Sequence, residues 1–135
     1  MAVLLDTGML CAYYDRSDAW HARAAGLVRA EESGLIVPAP VIPEVDHLLG
    51  RRLGTKARLV FYRGLSEGHY FVADLPREQY ARVGELNCQF ADLDLGFVDA
   101  AVVAIAEALG LARVATTDRR HFTPLATAFS LDLLS

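Results

Sequence analysis

Short apolar runs alternate with longer amphipathic stretches along this chain. These runs are short and lack the alternation of apolar and polar residues that a half-exposed strand shows, which is typical of strands buried on both faces of a sheet. They occupy residues 3–5, 35–37, 69–72 and 113–115, with a fifth candidate at residues 129–133. Apolar positions between them predict helices over residues 7–14, 18–32, 43–53, 55–65, 76–90 and 97–109. The alternation indicates an α/β fold, with a mainly parallel sheet of four or five short strands covered by helices on both faces.

Residues that favour helix ends support these boundaries. Asp18 and Thr55 are predicted to cap the second and fourth helices, because a short polar side chain can accept a hydrogen bond from a free backbone N–H. Pro43 and Pro76 suit a first helical turn, and Gly110 suits the residue after a helix. No repeat, linker or low-complexity tract divides the chain, so residues 1–135 are predicted to form a single domain.

The composition excludes several classes of protein. A chain of 135 residues that is 53% hydrophobic is long enough to bury a proper core. No uncharged apolar stretch reaches the length of about 18 residues that a membrane span needs. The residues before Asp6 lack the basic segment of a signal peptide. Cys11 and Cys88 lie on different predicted helices and are expected to be free, buried thiols in a reducing compartment. We therefore predict a cytoplasmic protein without a membrane partner.

The charge pattern restricts how nucleic acid could bind. A net charge of −4 argues against binding by bulk attraction, although it leaves a nuclease possible, because bound cations would offset local negative charge. A basic run of Arg51, Arg52, Lys56 and Arg58 crosses a helix junction. Such a run is usually a solvated face, and contact with an RNA backbone is the sharper alternative. Arg119 is a further candidate contact.

Four carboxylates stand out because each follows a predicted strand or opens a predicted helix: Asp6, Glu44, Asp99 and Asp118. Each has a structural explanation, since acids cap helices, suit the positive end of the helix dipole and stabilise turns. Asp99 is the least easily explained in this way, because its neighbours are apolar and a dry, unpaired carboxylate is costly to bury. Together the four would form a cluster of like charges that requires bound cations, and oxygen ligands suit hard divalent cations.

Other polar residues near these acids carry less weight. Asp92 is expected to stabilise a loop and Asp94 to be solvated. His47 lies one helical turn after Glu44 and is a minor candidate ligand. His121 follows Asp118 closely, and a substrate contact is the minority interpretation for it.

Four segments together resemble a known family: Asp6-Thr7, Pro43-Glu44-Val45, residues 91–100 (ADLDLGFVDA) and residues 115–122 (ATTDRRHF). They look like the corresponding parts of a PIN domain and, within that superfamily, of the VapC toxins of bacterial VapBC toxin–antitoxin pairs. The resemblance covers the whole chain. It implies a three-layer α/β/α fold and a Mg²⁺- or Mn²⁺-dependent endoribonuclease that cuts structured RNA. It also implies a cognate VapB-type antitoxin and a homodimer.

The family's acidic positions match Asp6, Glu44, Asp99 and Asp118, which the resemblance makes the catalytic and metal-binding residues. Its site hydroxyl maps to Thr116 and, less directly, to Thr7. Gly8 is a departure, because a larger residue is frequent there, and it leaves the acids intact. The implied mechanism is metal-assisted hydrolysis of a phosphodiester bond.

Three other functions were weighed against this one. A catalytically silent PIN module that binds RNA or protein would be expected to lose acids, and all four are present. A haloacid-dehalogenase-like phosphatase needs a second aspartate two residues after the first, where this chain has Gly8. A receiver domain lacks its expected acidic pair here.

Overall fold

The computed structural model describes residues 2–129 and 131–134. Within these residues the strands are β1 (Val3–Leu5), β2 (Leu35–Pro38), β3 (Phe71–Ala73), β4 (Arg113–Ala115) and β5 (Asp132–Leu134). The helices are α1 (Thr7–Tyr14), α2 (His21–Ala30), α3 (Ile42–Arg52), α4 (Thr55–Ser66), α5 (Tyr80–Gln89), α6 (Gly96–Leu109) and α7 (Arg119–Phe129). The predicted α/β alternation is confirmed, and the five strands agree with the expected four or five.

All five strands form one parallel sheet in the order β3-β2-β1-β4-β5. From β1 the chain moves outward through β2 to β3, and then returns to the other side of β1 to form β4. The strand order therefore reverses between β1 and β4. In open parallel sheets a crevice forms at such a reversal, outside the carboxyl ends of the strands. The topology therefore predicts a binding crevice beside the residues that follow β1 and β4.

The core explains why the central elements form where they do. Every residue of β1 and β2 is buried, as expected for strands covered on both faces. Helix α6 buries seven consecutive residues, 100–106, and a helix that is apolar all round belongs in the interior. The result is the three-layer α/β/α arrangement, with α6 placing its first turn at the edge of the sheet where β1 and β4 end.

Two predicted caps are wrong. Helix α2 begins at His21, and Asp18 Oδ1 accepts a hydrogen bond from Trp20 N (2.8 Å), so Asp18 stabilises the turn before the helix instead of capping it. Thr55 is the first residue of α4, and the residue before it is Gly54, which has a φ of 92°. Only glycine adopts this conformation without strain, so Gly54 sets the break between α3 and α4.

Helix α7 is not among the helices that the sequence pattern predicts. It contains Pro124, which removes one helical hydrogen bond. The helix forms nevertheless because Phe122 and Leu125 are fully buried against the core. As a consequence β5 starts at Asp132, three residues later than predicted. Similarly, the segment after Pro76 begins with a 3₁₀ turn, and α5 proper starts at Tyr80.

The composition led to expectations about the two cysteines and about membrane-spanning helices. Both cysteines are free, but Cys88 is exposed, so the expectation of two buried thiols is correct only for Cys11. Among the described residues, none of the helices has the length and apolar character needed to cross a bilayer.

Candidate active site

A cleft of about 470 Å³ opens where β1 and β4 end. Its walls come from the start of α1, the first turns of α3 and α6, and the start of α7. All four candidate acids border it, together with one predicted supporting residue and one histidine: Asp6, Glu44, Asp99, Asp118, Thr7 and His121. The cleft therefore joins residues that are up to 115 positions apart along the chain.

Asp6 is the most buried of the four acids, at 4% exposed. It is the N-cap of α1, and its Oδ1 accepts a hydrogen bond from Met9 N (2.8 Å). Its Oδ2 accepts a second hydrogen bond from the hydroxyl of Thr116. Asp6 therefore both caps α1 and lies in the cleft, two roles that the sequence already showed to be compatible.

The environment of Asp6 disfavours its charge. Burial raises its pKa from 3.8 to about 7, against the hydrogen bonds from Thr116 and Met9, which lower it, and the charges of Asp99 and Asp118 raise it further. A carboxyl group whose pKa is raised by burial and is only partly lowered again by its hydrogen bonds is typical of a functional site. It would gain more than a surface acid does from a nearby cation.

Thr116 connects the ends of β1 and β4. It is fully buried, donates its hydroxyl to Asp6, and accepts a hydrogen bond at Oγ1 from Asp118 N (2.8 Å). A hydroxyl can donate one hydrogen bond and accept others at the same time. Thr116 thereby sets the spacing between the first and last of the four acids, and the predicted supporting role suits this position.

Asp99 lies in the first turn of α6, but it does not cap that helix. Its carboxylate borders the cleft, and its Oδ2 lies 2.6 Å from His121 Nδ1. Burial raises the pKa of Asp99; the hydrogen bond and charge of His121 lower it, and the charges of Asp118 and Glu44 raise it. The sequence-based inference that Asp99 faces a pocket instead of a dry interior is in agreement with this placement.

Asp118 and His121 are linked twice. Asp118 Oδ1 accepts a hydrogen bond from His121 N (3.1 Å) at the start of α7, and Asp118 Oδ2 lies 3.1 Å from His121 Nδ1. Oxygen atoms of Asp99 and Asp118 and a ring nitrogen of His121 lie within 4.8 Å of one another. Sequence reasoning gave His121 little weight. The available signal was its spacing of three residues from Asp118, which brings two side chains together at the start of a helix.

Glu44 differs from the other acids because it is exposed. It lies in the first turn of α3, as predicted, and borders the mouth of the cleft. Among residues 2–129 and 131–134 its side chain has no hydrogen-bond partner and no ion-pair partner. Its carboxylate is therefore available to a ligand without the loss of an existing partner.

Thr7 and Gly8 complete the wall beside Asp6. The hydroxyl oxygen of Thr7 is buried and has no hydrogen-bond partner among the described residues, which is an uncommon and unfavourable state for a polar atom. At Gly8 a Cβ atom would lie 2.2 Å from Thr117 Oγ1, so glycine allows the Thr117 side chain to pack against the start of α1. This close approach is the physical reason for the departure from the larger residue that the resemblance leads one to expect.

The loop before Asp99 is held by Asn87. Its Oδ1 accepts a hydrogen bond from Gly96 N (2.9 Å), and its Nδ2 donates to Gly96 O (3.1 Å). Gly96 has a φ of 76°, a conformation that costs other L-residues about 1–2 kcal/mol. Asp99 thus enters the cleft from a turn whose backbone conformation requires glycine.

We expect Gly96→Ala to lower the free energy of unfolding by about 1 kcal/mol or more, and urea unfolding measures this change. The matched control is Gly26→Ala in α2. Neither site has an atom within 4 Å of the added Cβ, but only Gly96 has a positive φ. Gly26→Ala should stabilise the protein by up to about 1 kcal/mol, because alanine favours helix. A loss of stability in both variants, or in neither, would contradict the assigned strain.

The candidate RNA contacts are distributed unevenly. Arg119 is exposed and directly follows Asp118 at the start of α7. Arg51, Arg52 and Lys56 are also exposed but do not border the cleft. Arg51 lies seven residues after Glu44 on α3, which is about 10 Å along the helix axis. Arg52 lies 3.5 Å from Asp18 in a surface ion pair.

Comparison with known proteins agrees with the fold. Residues 3–126 match the family model of the PIN domain. The chain is 29% identical over 123 residues to Ribonuclease VapC26 of Mycobacterium tuberculosis, and the match covers 91% of each chain.

Solved structures give the same result for the fold. VapC20 of Mycobacterium tuberculosis, described as a sarcin–ricin loop cleaving toxin, superposes with a TM-score of 0.84 at 21% identity, covering 92% of this chain and 95% of that one. DNA-bound VapBC from Salmonella typhimurium superposes with a TM-score of 0.73 at 16% identity, covering 98% and 96%. Since the family model spans nearly the whole chain, the protein belongs to the PIN-domain family, and within that family it resembles the VapC ribonucleases.

Proposed function

We propose that this protein is a Mg²⁺- or Mn²⁺-dependent endoribonuclease that acts as the toxin of a VapBC-type pair. The observation that carries the proposal is the acid-lined cleft at the reversal between β1 and β4, in which four carboxylates meet although burial already disfavours the charge of Asp6. Such a cluster has a physical rationale when a cation neutralises it. The similarity to Ribonuclease VapC26 supports RNA as the substrate.

The residues present fit a hard divalent cation. Carboxylate oxygens are the ligands that Mg²⁺ and Mn²⁺ prefer, and Asp6, Asp99, Asp118 and the exposed Glu44 offer them around one cleft. Thr7, whose hydroxyl has no partner among the described residues, lines the same cleft. We assign these four acids to the metal, and Thr7 and Thr116 to its support.

A bound divalent cation would supply Lewis acidity toward the phosphate and lower the pKa of water at the site. The chain itself holds the reacting groups in place. Thr116 fixes Asp6 relative to Asp118, and the Asn87–Gly96 hydrogen bonds fix the turn that carries Asp99. Asp6 is itself buried, and electrostatic interactions of a buried carboxylate are stronger than those in water. Glu44 at the mouth remains free to meet the ligand.

The substrate is proposed to be structured RNA, because VapC20, which shares the fold of this chain, is a sarcin–ricin loop cleaving toxin. Arg119 directly follows Asp118, which borders the cleft, and from this position its guanidinium group would contact phosphate oxygens near the scissile bond. Arg51, Arg52 and Lys56 would contact more distant phosphates. Such contacts position a nucleic acid without reading its sequence.

A VapB-type antitoxin and a second copy of the chain are the proposed protein partners. Several solved relatives are VapBC complexes, including one from Salmonella typhimurium and one from Rickettsia felis. Apolar side chains on α4 and on the edge strand β3 are exposed, among them Leu59 at 53% and Phe71 at 65%. Exposed apolar surface of this kind is common where proteins associate.

The direct test is RNA cleavage by the purified chain with its metal removed and restored. We expect cleavage of a structured RNA to stop in excess chelator and to return when Mg²⁺ or Mn²⁺ is added. The added cation binds among the four carboxylates and neutralises their charge. RNA fragments are resolved on a denaturing gel. Cleavage that continues at full rate in chelator would refute the metal dependence. RNA binding without any cleavage in metal would instead favour a silent PIN module.

A further inference from the structure

The ring of His121 stands between two of the acids that the proposed function assigns to the metal. Its Nδ1 lies 2.6 Å from Asp99 Oδ2 and 3.1 Å from Asp118 Oδ2. The same residue is anchored through its backbone, because His121 N donates to Asp118 Oδ1 (3.1 Å). The ring nitrogen is therefore held inside the carboxylate cluster by two separate connections.

These distances are those of hydrogen bonds, and they place the three donor atoms close enough together for one small cation to take the place of the bridging proton. Mg²⁺ and Mn²⁺ hold ligands at about 2.1 Å in octahedral sites, so adjacent ligand atoms lie about 3 Å apart. The three donor atoms of Asp99, Asp118 and His121 lie within 4.8 Å of one another, which lets one ion reach all three.

A nitrogen donor changes which ion such a site prefers. Mg²⁺ favours oxygen ligands and binds imidazole poorly, whereas transition-metal ions accept imidazole well. A site of carboxylates alone would discriminate little in favour of Mn²⁺. One imidazole in the set adds a ligand that Mn²⁺ uses and Mg²⁺ largely forgoes.

We infer that His121 Nδ1 is a nitrogen ligand of the ion in this cleft, and that it makes the site select Mn²⁺ over Mg²⁺. The inference rests on the proposed function only in assuming that a divalent ion binds among these acids. Coordination uses the Nδ1 lone pair, and any proton on Nδ1 is released to solvent when the ion binds. Nδ1 then binds the ion directly, and its contacts with the two carboxylates are replaced, because both carboxylates bind the same ion.

The experiment measures metal binding directly on the full chain. Loss of the free Mn²⁺ signal in electron paramagnetic resonance gives the Mn²⁺ affinity, and displacement by Mg²⁺ gives the Mg²⁺ affinity. Electron spin echo modulation of bound Mn²⁺ then reports a directly coordinated ¹⁴N nucleus. The variants are His121→Gln and, as the matched control, His47→Gln, since His47 lies on α3 one turn from Glu44 but does not border the cleft.

We expect the imidazole nitrogen coupling in the wild type and in His47→Gln, and its loss in His121→Gln. Loss of this ligand should weaken Mn²⁺ binding by at least about tenfold, with Mg²⁺ affinity changed by less than about threefold. His47→Gln should leave both affinities unchanged. A wild-type spectrum without nitrogen coupling would overturn the inference even if His121→Gln failed to fold. An unchanged Mn²⁺-to-Mg²⁺ preference in folded His121→Gln would overturn it as well.

Failure of this inference and failure of the proposed function give different results. RNA cleavage with Mn²⁺ but no nitrogen coupling overturns the role of His121 and leaves the nuclease intact. Nitrogen coupling without RNA cleavage supports the role of His121 and overturns the nuclease. Absence of any Mn²⁺ binding by the wild type overturns both.

Discussion

Asp99→Asn is expected to reduce RNA cleavage by at least about 100-fold while the protein remains folded. Asparagine keeps the shape of the side chain but removes the charge that would hold the cation, and metal-ion stabilisation of a phosphoryl transition state contributes several kcal/mol. Asp6→Asn should behave in the same way. The rate of cleavage of a structured RNA in Mg²⁺ or Mn²⁺ measures the effect, and circular dichroism confirms folding.

The matched control for this prediction is Asp94→Asn. Asp94 is exposed, lies five residues before Asp99, and does not border the cleft. The Asp94→Asn variant should therefore cleave RNA at the wild-type rate. In bacteria, expression of the wild type or of Asp94→Asn should arrest growth, whereas Asp6→Asn and Asp99→Asn should not. Folded Asp6 and Asp99 variants that cleave as fast as the wild type would eliminate the metal-nuclease proposal.

The metal-free protein is expected to lose stability as the pH rises from about 4 to about 7, because of Asp6. Its pKa is about 7 in the folded protein, against 3.8 for an unperturbed carboxyl group. The folded state therefore holds the Asp6 proton more tightly than the unfolded state does. The corresponding stability is complete below the lower pKa and is lost as the pH rises through the higher one. About three pH units correspond to about 4 kcal/mol, of which roughly 2–3 kcal/mol falls between pH 5 and 8.

Urea unfolding in chelator between pH 5 and 8 measures this loss. Asp6→Asn carries no titrating group at this position, so its stability should change with pH by roughly 2–3 kcal/mol less than that of the wild type. Asp94→Asn should follow the wild type. A divalent cation at 100 times its dissociation constant should restore about 2.7 kcal/mol to the wild type at pH 8. Identical pH profiles for the wild type and Asp6→Asn would show that Asp6 is not desolvated as described.

Local patterns in the sequence were sufficient for most of the elements near the site. Helices α1, α3 and α6 begin within a residue of their predicted starts, because the signals at those starts (an aspartate cap, a proline in the first turn, a glycine) act within a few residues. Helix α7 could not be predicted in this way. Its pattern is interrupted by Pro124, and it is stabilised by burial of Phe122 and Leu125 against distant parts of the chain.

The sequence by itself also identified the four acids, through their positions at strand and helix ends and through the resemblance to VapC toxins. The α/β fold class followed from the alternation of apolar runs and amphipathic stretches. Both conclusions depend on residue types at short spacing, which can be seen along the chain. What these patterns do not contain is the distance between segments that are far apart in sequence.

Only the tertiary structure decided how the acids differ. Asp6 is held by Thr116, which is 110 residues away in the sequence, and it is buried while Glu44 is exposed. His121 reaches Asp99 across 22 residues because α6 and α7 both start at the edge where β1 and β4 end. Charge state and ligand set depend on desolvation and on through-space distance, and the order of the strands in the sheet determines both.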